Sequence, residues 1–170
     1  MASDLIVQGP FEIPYENHST GSSKHISKDD RDAFLSSLGD IAKKQGCYIF
    51  SLRAGRGFCP WYVGKATKSM VQECMAADKL NYYNDVLFHG YKGKPVMFFV
   101  VLPGTKNKVP VKDIDNMETF LIQSALSENL DLKNVQKTKN LPQWTIKGVI
   151  RSGKGKRTAI EKSFNSMMGL

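Results

Sequence analysis

Cysteine is scarce in this chain of 170 residues: there are three, Cys47, Cys59 and Cys74, and no Cys-x-x-Cys pair among them. An odd number without close spacing argues against a disulfide framework and a structural zinc site, and suits buried thiols in a reducing compartment. No apolar run reaches the roughly 20 residues that a membrane helix needs, so no membrane is expected as a partner. The first residues, with Asp4 ahead of Leu5, lack a basic region leading into an apolar core, and a cytoplasmic location is expected. Acid is scarce near the C-terminus. From Lys133 to Lys162 a single acid, Glu161, stands against nine basic residues. Arginine is missing altogether between Arg56 and Arg151.

What is present is basic. The net charge is +8 and the pI about 9.4, a balance that suits a polyanionic partner while saying nothing of fold. The surplus in the C-terminal stretch, which includes Lys147, Arg151, Lys154, Lys156 and Arg157, is read as a nucleic-acid-binding surface. A solvated tail is the plainer alternative.

Two aromatic stretches, Gly46-Cys47-Tyr48-Ile49-Phe50 and Trp61-Tyr62-Val63-Gly64-Lys65, read as strands, being rich in β-favouring residues. Between them, Arg53 to Pro60 carries glycines and a proline, so a hairpin is expected. Each strand brackets a tyrosine with glycine, in Gly46-x-Tyr48 and Tyr62-x-Gly64, and glycine in a strand often marks close approach of another group.

Residues 1 to 26 read as an arm that can add an edge strand, with residues 27 to 170 as one domain. Ser27 ahead of Asp29 and Asp30 predicts a helix of about 17 residues ending near Gly46. A second helix is expected from Thr67 or Ser69 through Met70, Cys74 and Leu80 towards Leu87. Val96 to Leu102 is a continuous apolar run that fits a strand covered on both faces. A helix follows from about Asp113 to Glu128, then a strand over Gln143 to Ile150, a Gly/Lys turn and a closing helix over Thr158 to Met168. The predicted class is α+β: a small three-stranded antiparallel sheet flanked by helices, with an extra N-terminal helix and a C-terminal strand-helix extension over 136 to 170.

On the helix from Asp113, Ile114, Met117, Leu121, Ile122 and Ala125 form one apolar arc, and Glu118 falls inside it. A carboxylate facing the core must meet a cation, a metal or several donors, because burying it unpaired costs several kcal/mol. The alternative is a rotated helix with Glu118 at the solvent rim. Asn134 by itself reads as a turn residue, and Tyr48 and Tyr62 by themselves as core aromatics. His89 reads as a surface histidine, and Trp144 as core or as a base-stacking ring.

Gly46-Cys47-Tyr48 and Tyr62-Val63-Gly64-Lys65 resemble the paired signatures of the GIY-YIG nuclease superfamily, over about residues 45 to 135. The resemblance implies a metal-dependent endonuclease hydrolysing a phosphodiester bond, with nucleic acid, in the first place DNA, as partner. It implies Glu118 as the ligand of Mg²⁺ (or Mn²⁺), Tyr48 as activator of the attacking water with Tyr62 and Lys65 in support, and Asn134 as a further site residue. The family carries an arginine on its first helix, against the scissile phosphate; here the position is Gln72. Lys68, one turn earlier, and the loop residues Arg53 and Arg56 are equal candidates to replace it. Loss of that arginine keeps open a catalytically inactive nucleic-acid-binding module. A protein-interaction domain is a third reading, and a homodimer or partner protein supplying specificity remains open.

Overall fold

The computed structural model describes residues 5–18, 21–104, 108–134, 136 and 158–168. The elements run in the order β1 (Ile6–Glu12), β2 (Glu16–Asn17), β3 (Lys24–His25), α1 (Lys28–Ser37), a 3₁₀ turn (Gly39–Lys43), β4 (Gly46–Ala54) and β5 (Gly57–Ala66). They continue with α2 (Met70–Glu73), α3 (Ala77–Phe88), β6 (Lys94–Val101), α4 (Val111–Glu128) and α5 (Ala159–Met168). No helix among the described residues is long and apolar enough to cross a membrane.

The protein is α+β, and its main sheet has four antiparallel strands in the order β1-β6-β4-β5, not the three expected. The additional strand comes from the stretch read as an arm: Ile6 lies opposite Val101 and Glu12 opposite Val96. That stretch is anchored at several points. Ile13 donates its backbone N–H to the Pro95 carbonyl at 3.0 Å. Ile26, fully buried, bonds through its N–H and C=O to the side-chain amide of Asn84 on α3, at 2.8 and 3.1 Å.

Strand period decides the layering, because successive side chains face opposite sides. Tyr48, Phe50 and Leu52 on β4, with Met97, Phe99 and Val101 on β6, pack with Phe34, Leu38, Tyr83, Val86 and Leu87 from α1 and α3. The alternate residues join α4: Val63 clusters with Ile122 and Ala125, and Cys47 with Ile114. The sheet is therefore covered on both faces, which explains the unbroken apolar run in β6.

Several helix boundaries move. Ser27 and Asp30 form a reciprocal capping box, with the Asp30 N–H on the Ser27 hydroxyl at 3.1 Å and the Ser27 N–H on the Asp30 carboxylate at 3.0 Å. The expected single helix then breaks, because Gly39 at a φ of 54° starts a 3₁₀ turn. The next predicted helix is also two, α2 and α3, interrupted at residues 74–76. The hairpin turn is tighter than the Gly/Arg-rich segment suggested, since Ala54 pairs with Gly57 and Phe58 to Pro60 stay in the strand. Phe50 pairs with Tyr62 and Ser51 with Pro60, so Trp61 is the extra residue of a bulge. The predicted strand over Gln143 to Ile150 lies outside the described residues.

Candidate active site

β5 is the last strand of the sheet, with the α3 layer packed on one of its faces and α4 on the other. A cavity of about 380 Å³ sits along its outer edge. Tyr62 and Lys65 enter it from β5, Asp78, Lys79 and Tyr82 from α3, Glu118 and Ile122 from α4, and Lys133 and Asn134 from the segment after α4. Tyr62 and Lys65 leave opposite faces of the strand. Both reach one cavity because it wraps around a strand edge.

Glu118 is placed as its position in the apolar arc of α4 predicts. Its side chain is only 12 % exposed, and one oxygen lies 3.3 Å from the Lys65 ammonium. Lys65 also bonds Asp115, one turn earlier on α4, at 2.6 Å. The bond to Asp115 raises the Lys65 pKa; partial burial opposes this and Glu118 reinforces it. Lys65 is thus a fixed cation at neutral pH, bracketed by two carboxylates at i and i+3.

Tyr62 is nearly buried, its ring stacked on Tyr82 at 5.5 Å between centroids and inclined to Tyr83 at 5.9 Å. Burial pushes its phenol up, while the Lys79 ammonium, 5.7 Å from the ring centroid, pulls it back down. Lys79 forms an ion pair with its neighbour Asp78. Burial works against the Lys79 charge, but Asp78 and the Tyr62 phenol outweigh it, so its pKa is raised. The cavity therefore holds a second cation that survives desolvation.

Tyr48 is elsewhere. It is fully buried, its hydroxyl donates to the Glu73 carbonyl at 3.3 Å, and burial raises its pKa strongly. Its ring lies against Gly64, where a Cβ would overlap the phenol, and 6.4 Å from the Tyr62 ring. The paired Tyr-x-Gly pattern thus brings Tyr48 onto Gly64 as a packing contact, and Tyr48 does not line the cavity.

Asn134 lines the cavity and is also tied to the edge of β5. Its amide oxygen accepts from the Val63 N–H at 2.9 Å and its NH₂ donates to the Val63 carbonyl at 2.7 Å. Next to it, the Lys133 N–H donates to the Trp61 carbonyl at 2.8 Å and the Asn129 side chain donates to Pro60 at 2.8 Å. Residues 129 to 134 thus cover the outer edge of β5 through one backbone hydrogen bond and the side-chain amides of Asn129 and Asn134. Lys133 also bonds Asp85 at 2.6 Å, which lowers the Asp85 pKa and tethers α3 to this segment.

The cations proposed to replace the helix arginine are not brought here. Arg53 pairs with Glu12 at 3.7 Å and lies over the Phe58 ring, at the far end of the hairpin. Arg56 sits in the exposed turn, Lys68 is exposed just ahead of α2 and Gln72 is exposed on α2; none lines the cavity. Lys147, Arg151, Lys154, Lys156 and Arg157 lie outside the described residues. Sequence reasoning missed Lys79, Tyr82 and Asp115. The phase of α3 was hidden by its break from α2, but Lys79, Tyr82 and Tyr83 at helical spacing carried the signal, as did Asp115 one turn from Glu118.

Among the described residues, no group of three His, Cys, Asp or Glu side chains is close enough to hold a metal ion. Glu73, Asp78 and Glu118 all line the cavity, and a roomy polar site of that kind can suit Mg²⁺, which binds through one or two carboxylates and keeps several waters and substrate oxygens. Glu118 has that setting. No protein-family model matches the chain, and no curated protein and no solved structure matches it.

Proposed function

We propose that the cavity is the active site of a metal-dependent endonuclease of the GIY-YIG kind, hydrolysing a phosphodiester bond in DNA. The observation that carries this reading is the convergence of Tyr62, Lys65 and Glu118 on one cavity, although Glu118 lies far from the other two in the chain. The order β4, β5, helix, β6, α4 agrees with the resemblance, and so does the position of Glu118 on the helix after β6.

Glu118 would hold Mg²⁺ or Mn²⁺, which when bound supplies positive charge to a phosphate oxygen and lowers the pKa of a coordinated water. The chain's own groups supply the rest. Lys65, clamped between Asp115 and Glu118, fixes the carboxylate and limits its rotamers. Lys79 takes the position of phosphate clamp that the missing arginine leaves open, since it lines the cavity and keeps its charge. Tyr62 donates a hydrogen bond or relays a proton from its hydroxyl. A phenol raised by burial is a weak base at neutral pH, and the nearby Lys79 is the group that counters this. Tyr48 positions the strand beneath this site by packing on Gly64.

A nucleic-acid-binding module without catalysis is the second reading. It is favoured by Gln72, which stands where the resembling family carries its helix arginine.

The test is cleavage of a supercoiled plasmid and a branched oligonucleotide with Mg²⁺ or Mn²⁺, comparing wild type with Glu118→Gln. Cleavage that requires metal and is lost in the variant is expected. DNA binding that weakens with salt, with no cleavage by the wild type, would leave the binding module instead.

A further inference from the structure

Asp115 and Glu118 lie one turn apart on α4, and a single lysine of β5 stands between them. The Lys65 ammonium is 2.6 Å from Asp115 and 3.3 Å from Glu118. Both supports are firm. Lys65 lies opposite Cys47 in the β4–β5 ladder, and Ile114, next to Asp115, is fully buried in a cluster with Cys47 and Val109. The two carboxylates differ in setting. Glu118 is 12 % exposed and lines the cavity, whereas Asp115 is 44 % exposed and does not.

A bridge that only docked α4 on β5 would need one carboxylate. The helix is already held there by the cluster of Val63, Ile122 and Ala125, and an ion pair as exposed as Lys65–Asp115 adds about 1 kcal/mol at most. The second carboxylate therefore calls for another use. An ammonium and a divalent cation compete for the same oxygens of Glu118, and an ammonium without a second partner would bear on them with its whole charge. Asp115 takes the closer share of the Lys65 ammonium.

We propose that Asp115 is a positioning residue of the metal site: by holding Lys65, it sets how strongly Glu118 binds a divalent cation. The inference rests on the reading of Glu118 as the metal ligand, and adds to it a residue that does not line the cavity. Groups that hold the neighbours of a metal ligand commonly tune metal affinity by roughly 10–100-fold. Asp115→Asn keeps the size of the side chain, removes its charge and leaves Lys65 to Glu118 alone. An incoming cation would then have to displace the ammonium from its own ligand.

The experiment is titration with Mg²⁺ alone, followed through the amide resonance of Glu118 in the ¹⁵N-labelled full chain. The proteins are wild type, Asp115→Asn, Lys65→Met and the double variant, with thermal melts to show that each is folded. Asp115→Asn is expected to weaken Mg²⁺ binding by roughly tenfold or more. Lys65→Met should bind at least as tightly as wild type, and Asp115→Asn should add almost nothing once Lys65 is gone. Asp113→Asn, which removes the same charge from the first turn of α4, should leave the affinity near that of wild type. An unchanged affinity in Asp115→Asn, or a loss that persists in full in the Lys65→Met background, overturns the proposal and leaves the bridge as a support for α4. Wild-type protein that takes up no Mg²⁺ at Glu118 would overturn the metal reading and this inference with it, whereas Mg²⁺ binding unmoved by Asp115→Asn would remove the inference alone.

Discussion

The side-chain amide of Asn134 pairs with both backbone groups of Val63, accepting from its N–H at 2.9 Å and donating to its carbonyl at 2.7 Å. An edge strand presents free donors and acceptors, and here one residue satisfies a pair of them while closing the end of the cavity. Asn134→Ala is expected to lower stability by about 1–3 kcal/mol, the cost of leaving partly buried backbone groups without partners. Asn134→Asp should lose at least as much, because a carboxylate oxygen would face the Val63 carbonyl. Urea unfolding measures both. Full stability with lost cleavage would instead assign the amide to the chemistry.

Gly64 has room for no side chain against the Tyr48 ring. Gly64→Ala is expected to cost about 1–3 kcal/mol through overpacking. Tyr48→Leu should relieve part of it, so the double variant will be more stable than the sum of the single losses predicts. Strict additivity in thermal melts would show that the contact is not the cause.

Lys79 lines the cavity, as Lys65 and Lys133 do, whereas Lys68 and Arg53 do not. Lys79→Met is expected to reduce cleavage by roughly 10²-fold or more, as for loss of one group that stabilises developing charge. Lys79→Arg should keep most of the activity. Lys68→Met and Arg53→Met, outside the cavity, should leave kcat near wild type. Equal losses at Lys68 and Lys79 would remove Lys79 from its assigned role.

Burial raises the phenol pKa values of Tyr48, Tyr62 and Tyr83 above their ordinary value near 10. Below pH 10 folded and unfolded chains both keep these protons. Above it the unfolded chain releases protons that the folded chain retains, so the unfolded state binds fewer and stability falls as pH rises. The urea midpoint is expected to drop beyond pH 10. Phenolate absorbance in the native protein should stop short of the full six tyrosines until unfolding releases the remainder. Reversible titration of all six near pH 10 in folded protein would contradict the burial.

Much of the core was legible because it follows period. The alternation in β4, the apolar run of β6 and the arc of α4 each depend on local spacing, and Glu118 was found because a carboxylate interrupted that arc. What escaped was non-local. No spacing within residues 6–12 reveals that their partner is β6, and two short apolar patches read equally well as an arm. Tyr48 and Tyr62 carry the same local signature, yet one is sealed under Gly64 and the other reaches a cavity. Lys79 was hidden because the interruption at residues 74–76 resets the helical phase, which a continuous helix drawn through Met70 and Leu87 cannot show.

Pairing of Ile6 with Val101 also ties β1 to a strand that lies far along the chain. During synthesis β4 and β5 can meet across their short turn, and β6 can join β4 once Val101 has been made. β1 precedes β6 in the chain and pairs with no other strand of the sheet, so it has no partner until β6 has been made. Until it docks, β6 presents an unpaired apolar border that a second nascent chain can copy. A chaperone that shields this border during translation would therefore act on β6 rather than on the hairpin.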